Sequence, residues 1–203
     1  MKRLSSILRS FGVILVVGVM GAAQATDLSG PVLLVASSQL DGSPFEQAVV
    51  IAAPLPNGGH IGFIINRPMR VKLDSLLPED AAARRVTDTV YLGGPVLLPG
   101  LFAVTRKVPD DAGAVVSLMP GLFAVLDAPT IDRIVETTPN DARYFVGLML
   151  WNEDELEEQV RSNEWEVRAA DVDTVLRAKS PGLWNSLRGP MAGLKSNLFT
   201  RVT

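Results

Sequence analysis

One histidine, no cysteine and one acidic run are what this chain offers to acid–base, nucleophilic or metal chemistry. His60 follows Asn57-Gly58-Gly59 and precedes Ile61, the setting of a turn that feeds a strand. A Ser-His-Asp site would rest on His60 alone, and no Gly-x-Ser-x-Gly elbow supplies its nucleophile. Ser37-Ser38 follow an apolar run, but nothing marks either hydroxyl as activated. The absence of cysteine removes thiol nucleophiles, thiolate metal sites and redox pairs. A single imidazole is too few for a histidine-rich zinc site. The acidic run is Glu153, Asp154, Glu155, Glu157 and Glu158. Paired carboxylates can transfer protons or hold a metal, yet the alternating Asp/Asn-Gly pattern of a calcium loop is missing. A solvated helix accounts for the run better. Asn152 stands at the N-cap, Glu155 at the capping-box position, and the acidic first turn complements the helix dipole. Glu157 and Arg161 then form an i, i+4 pair, while Leu156 and Val160 share the face that docks on the core. No catalytic residue, metal ligand or cofactor is assigned on these grounds. A hydrolase built on His60 remains an alternative, and it requires a serine hydroxyl beside the imidazole in a cleft.

Two junctions could instead make contacts. Gly62-Phe63-Ile64-Ile65-Asn66-Arg67-Pro68 runs an apolar strand into a stop. Asn66 suits a left-handed or self-bonded turn, Pro68 ends the ladder, and Arg67 projects at the strand end. Such an arginine either meets a ligand or pairs with a surface carboxylate. Tyr91-Leu92-Gly93-Gly94-Pro95-Val96 is a glycine-rich strand-to-turn junction. Its two glycines permit positive φ and close backbone approach. It is no phosphate loop, because Lys-Ser/Thr does not follow and Pro95 removes an N–H.

The elements that must position these residues are mostly short strands. Val32 to Ala36, Ala48 to Ala52, Ile61 to Ile65, Val90 to Leu92, Leu101 to Thr105, Ala114 to Leu118, Leu122 to Leu126 and Arg143 to Leu150 are β-branched or aromatic runs bounded by turn residues. Several are apolar throughout, which predicts cover on both faces. Short helices fall between them. Asp127-Ala128-Pro129-Thr130 opens one with Ile131, Ile134 and Val135 on one face. Leu73, Leu76 and Leu77 repeat that spacing before Pro78. Residues 153–161 form a third, and 172–194 hold one or two more, broken at Ser180-Pro181-Gly182 and Gly189-Pro190. The alternation indicates an α+β or α/β domain around a mixed sheet. Two near-repeats, at Gly30 and Gly94 and at Pro99 and Pro120, have different offsets and reflect Pro-Gly turns feeding buried strands rather than a solenoid.

The N-terminus reads as a secretory leader over residues 1–25. Lys2, Arg3 and Arg9 precede an apolar run from Phe11 to Ala23, and Ala23-Gln24-Ala25 is a small-x-small cleavage signal. The run is shorter than the roughly 20 residues a membrane-crossing helix needs. Cleavage would remove three of the 19 cations and no anion, leaving 16 Lys plus Arg against 22 Asp plus Glu on residues 26–203. An acidic domain without a Lys/Arg cluster argues against a nucleic-acid partner. The expected location is the periplasm or outside the cell, with membrane contact only during export. The partner is then an unidentified protein or small ligand, and stability must come from packing rather than disulfides.

Four segments together resemble the YqgE/AlgH family: Ala36-Ser37-Ser38-Gln39-Leu40 with Phe45, Gly62 to Pro68, Tyr91 to Val96, and Gly147-Leu148-Met149-Leu150-Trp151. The similarity spans about residues 30–171, with 172–203 as a helical extension. It implies a single compact α+β domain, a coiled mixed sheet with short peripheral helices, and no particular activity. The family's label of transcriptional regulator, with no DNA-binding motif behind it, suggests a cytoplasmic regulatory alternative. After Trp151 the family usually carries Gly-Gln-Leu-Glu where this chain has Asp154-Glu155-Leu156-Glu157, and typical members lack the leader. The expected function is that of a non-enzymatic, exported binding domain. Its surface joins Asn66, Arg67 and Pro68 to Gly93, Gly94 and Pro95, with Trp151 as a further contact.

Overall fold

The structure is a computed structural model that describes residues 27–177 and 182–188. The leader over residues 1–25, the break at Ser180-Pro181 and the extension beyond Arg188 lie outside the described residues.

Among the described residues nine strands build the domain. The first three, β1 (Val32–Ala36), β2 (Val49–Pro54) and β3 (His60–Ile64), form an antiparallel meander. They are followed by β4 (Tyr91–Leu92), β5 (Val96–Thr105), β6 (Val115–Met119) and β7 (Leu122–Val125). The chain then enters the ten-residue β8 (Ala142–Trp151) and ends its sheet with β9 (Trp165–Ala169). The order across the sheet is β6-β7-β5-β8-β3-β2-β1-β9, with β4 on a separate flank of β8. All pairings are antiparallel except β4 with β8, so the mixed sheet expected from the sequence rests on one short parallel contact. The β6–β7 turn is Pro120-Gly121 with Gly121 at φ 75°, a type II pattern in which only glycine sits without strain. The similar words at Pro99-Gly100 lie inside β5 instead, within an excursion described below.

Both faces of the sheet are covered, as the uninterrupted apolar strands require. Along β2, Val49, Ile51 and Ala53 join one core cluster with Phe63, Phe102 and Phe145, while Val50 and Ala52 join another with Met149, Trp151 and Trp165. The sheet curls so far that β6 comes within 8 Å of β2 in Cα positions without pairing to it. Among the described residues five short helices are peripheral: α1 (Leu73–Leu76), α2 (Ala128–Thr137), α3 (Glu155–Arg161), α4 (Val172–Arg177) and α5 (Leu183–Leu187). The α2 helix starts at the expected cap, and Ile131, Ile134 and Val135 bury together. In α1 only Leu73 is fully buried, because Leu76 ends on the solvent side.

The acidic helix differs in detail from expectation. Its N-cap is Asp154, at φ 65°, rather than Asn152. Half of the capping box survives, since the Asn152 N–H donates to Glu155 Oε2 at 2.9 Å. Among the described residues Glu157 and Arg161 make no ion pair with each other. The left-handed turn at Asp154 shifts the helix start by two residues and so moves the whole acidic face.

Candidate functional site

Asn66 and Arg67 act inward on a neighbouring loop. Asn66 Oδ1 accepts from the Val49 N–H at 2.9 Å, and its Nδ2 donates to the Gln47 carbonyl at 2.8 Å. The Arg67 guanidinium donates to the carbonyls of Pro44 and Glu46. Both side chains therefore complete the backbone hydrogen bonding of residues 44–49, which contain the left-handed Gln47 and lead into β2. Burial lowers the Arg67 pKa, and the nearby Glu46 carboxylate partly offsets this. The expected partner of Arg67 was a ligand or a surface carboxylate, but backbone carbonyls take two of its five donors. A cavity of about 270 Å³, lined by Glu46, Gln47, Asn66, Arg67, Trp184 and Asn185 among others, opens beside them.

Pro68 bridges to Tyr91, and the Leu92 N–H donates to the Arg67 carbonyl at 2.9 Å. Gly93 continues this seam: its carbonyl accepts from the Ile64 N–H and its own N–H donates to Val146, each at 2.8 Å. The two junctions thus lie side by side. The glycines are required by crowding rather than by positive φ. A Cβ on Gly93 would strike the Gly147 carbonyl, and one on Gly94 would strike the Leu148 carbonyl. Gly147 reciprocates against the Gly94 carbonyl, with φ 69° besides. Two backbone segments, residues 93–94 and 147–148, meet here at a spacing that excludes side chains.

Pro95 and Trp151 open in another direction, onto a cleft of about 200 Å³. Phe45, Val96, Leu150 and Trp165 share it. Its floor is held firmly. The indole N–H groups of Trp151 and Trp165, which can only donate, both reach Gln159 Oε1, at 3.0 and 2.8 Å. Phe45 packs against Trp165 with ring centroids 6.2 Å apart. At the lip, β5 leaves β8. Val96 pairs with Leu148 and Leu101 with Val146, so five steps along β5 match two along β8. The surplus, with Leu97 at φ 57°, carries Leu97 and Leu98 outward to 60% and 52% exposure, and Leu150 of β8 is 42% exposed.

Phe45 and Trp165 were the hard part to anticipate, since 120 positions separate them. Phe45 stood among the resembling segments, but Trp165 and all of β9 were missed. Trp165-Glu-Val-Arg-Ala offers only two large apolar residues and lies at the sheet edge. Arg143 was also overlooked. It is 4% exposed, donates to Val175 O at 2.7 Å and to the Tyr91 hydroxyl at 2.9 Å, and stacks 4.2 Å over the Tyr91 ring, tying β8 to β4 and α4.

His60 opens β3 rather than capping a turn. It is buried, its Nε2 lies 3.1 Å from the Leu28 carbonyl, and its Nδ1 has no hydrogen-bond partner. Nε2 is taken by a carbonyl and Nδ1 has no partner, so no described serine hydroxyl is hydrogen-bonded to the imidazole. Ser37 Oγ instead accepts from the Gln39 N–H at 3.1 Å and donates to Asn163 O. Among the described residues no group of three or more His, Asp or Glu side chains could hold a metal, and no helix is long and apolar enough to cross a membrane.

Known proteins match this geometry and sequence along most of the chain. Residues 33–194 match the family model described as AlgH-like. A UPF0301 protein of Chlorobium phaeobacteroides is 28% identical over 156 residues, covering 75% of this chain and 81% of that protein. One from Mycobacterium ulcerans is 27% identical over 155 residues, covering 75% and 77%. Among solved structures, the AlgH protein of Pseudomonas aeruginosa superposes with a TM-score of 0.65 at 22% identity, over 82% of this chain and 89% of that one. A Corynebacterium diphtheriae protein does so with 0.64 at 20% identity, over 83% and 91%. The curled sheet with its short helices is therefore a fold these proteins share, and the chain belongs to the AlgH-like family.

Proposed function

We propose that this domain works outside the cytoplasm as a non-enzymatic interaction module, and that its binding surface is the cleft between Pro95 and Trp151 together with the leucines on its lip. The carrying observation is a cleft with a fixed aromatic floor that exposed Leu150 and Val96 line, with Val96 running directly into Leu97 and Leu98; these three leucines are three of the four exposed large apolar residues among the described residues. Solvent-facing leucines that adjoin a preformed apolar cleft mark a contact surface more readily than scattered ones do. Asn66, Arg67 and Pro68 with Gly93 and Gly94 serve as the frame, since they pin the 44–49 loop that presents Phe45 and close the seam beneath Pro95. Support for the compartment comes from the leader-like residues 1–25 and from the acidic balance of the remainder.

Two measurements test this reading. Cell fractionation with intact mass is expected to find a periplasmic species starting at Thr26, and full-length protein confined to the cytoplasm would instead favour the regulatory alternative. A photo-crosslinking amino acid placed at position 97 in cells is expected to give an adduct heavier than the chain, absent when the same group sits at the exposed position 132 of α2. Equal labelling from both positions would remove the cleft from consideration.

A further inference from the structure

We infer that the cleft takes an extended peptide of a partner protein, one with apolar side chains flanked by lysine or arginine, added as a short strand along residues 149–151 of β8. This rests on the preceding reading of the cleft as the binding surface.

The first support is an open strand flank. As far as Leu148, β8 is paired on one side by β5. From Met149 to Trp151 it is paired only by β3, through His60, Ile61 and Gly62. Among the described residues no strand lies against the other flank there, because β5 begins at Val96, opposite Leu148, and runs from there toward Ala142. An unpaired strand flank beside an apolar cleft can accept an extended peptide, whose main chain bonds to the flank while alternate side chains enter the cleft. Phe45, Val96 and Leu150 supply apolar contact in the cleft, exposed Leu97 and Leu98 follow Val96 directly, and the Trp151–Gln159–Trp165 bonding holds the floor in place.

The second support is charge. Among the described residues the only ionisable ones lining the cleft are Glu155 and Glu164, and no cation lines it. Glu155 spends Oε2 on Asn152, and Glu164 makes no ion pair among the described residues. Glu153, Asp154, Glu157 and Glu158 lie along the same segment. A peptide with acidic flanks would meet only repulsion, whereas basic flanks meet two carboxylates at the rim.

The test uses the mature full chain and follows its three indole N–H signals by NMR during titration with blocked heptapeptides. Trp184 lies outside the cleft, bonded to Ala36 O, and serves as the internal control. A peptide alternating leucine and lysine is expected to shift the Trp151 and Trp165 signals saturably and leave Trp184 unmoved. Leu97→Ser should weaken it about tenfold and Glu164→Gln about threefold. A leucine–glutamate peptide should bind at least tenfold more weakly. If both leucine peptides bind equally, the cleft reading stands and the charge selection falls. If a serine–lysine peptide binds as well as the leucine–lysine one, general attraction to an acidic chain explains the result and the inference is overturned. An N-methylated leucine–lysine peptide that binds undiminished would exclude strand addition. If no peptide shifts either indole, the cleft reading falls too. Two further results would also overturn the inference by naming another occupant. One is a dimer mass by light scattering that Leu97→Ser abolishes. The other is movement of both indoles in the free chain when Lys195 and Arg201 are changed to glutamate.

Discussion

At the scale of single residues, the cleft depends on Gln159 more than on either tryptophan. One amide oxygen satisfies two buried indoles, which have no other acceptor among the described residues. Gln159→Leu would leave two buried donors without partners, at roughly 1–3 kcal/mol each. Chemical denaturation is expected to show a loss of about 2 kcal/mol or more, with a red shift in tryptophan emission. Asp154 offers a prediction of the opposite sign. A residue with a Cβ pays roughly 1 kcal/mol in the left-handed region that glycine occupies freely, and Asp154 sits at φ 65°. Asp154→Gly should therefore be more stable than Asp154→Ala by about 1 kcal/mol. Both variants lose the same charge at the start of α3, so their difference isolates the backbone. This is also the position at which the resembling sequences carry glycine, and the strain shows what the departure costs.

At the scale of elements, caps and crossings decide which segments stay in place. Asp127 caps α2 by accepting from the Thr130 N–H at 3.1 Å and the Thr130 hydroxyl at 2.8 Å. Burial pushes its pKa up, but these hydrogen bonds outweigh that and hold it below the ordinary carboxylate value. A lowered folded-state pKa contributes stability above the unfolded value, near 4, and loses it as pH falls through the folded value. Asp127→Ala is thus expected to cost about 1 kcal/mol at neutral pH. That difference should shrink as thermal melts are repeated below about pH 4. The crossing of β4 with β8 tolerates less. Gly94→Ala and Gly147→Ala each drive a methyl into a backbone carbonyl, with little room for either strand to retreat. Each should lose about 3 kcal/mol, the upper part of the overpacking range, and Gly147→Ala should lose more because of its positive φ. Elements like these were legible to different degrees. The β1 strand falls at its expected bounds, and the α2 cap and buried face are as expected, because each is written in local spacing. The β9 strand escaped because its partly polar alternation is weak. The role of Asn66 and Arg67 escaped because their partners lie about 20 residues away, across the β2–β3 meander. The cleft escaped for the same reason, since only the curled sheet brings Phe45 to Trp165.

At the scale of the whole molecule, no disulfide holds the domain, since the chain has no cysteine. Denaturation midpoints are accordingly expected to be the same with and without reducing agent, and a shift would point to a bound factor rather than a disulfide. The order of the strands adds a further consequence. β8 pairs with β3, β4 and β5, yet begins only at Ala142. The meander of β1 to β3 is apolar on both faces, and Phe145, Met149, Trp151, Leu156 and Trp165, which cover it, all come later. A chain stopped before Ala142 should therefore be digested by a protease dose that the full chain survives. During synthesis such lateness is a timing device. Residues 27–141 lack the strand that joins β3 to β5, so they cannot close this core before β8 is made. The domain tightens only when its central strand arrives.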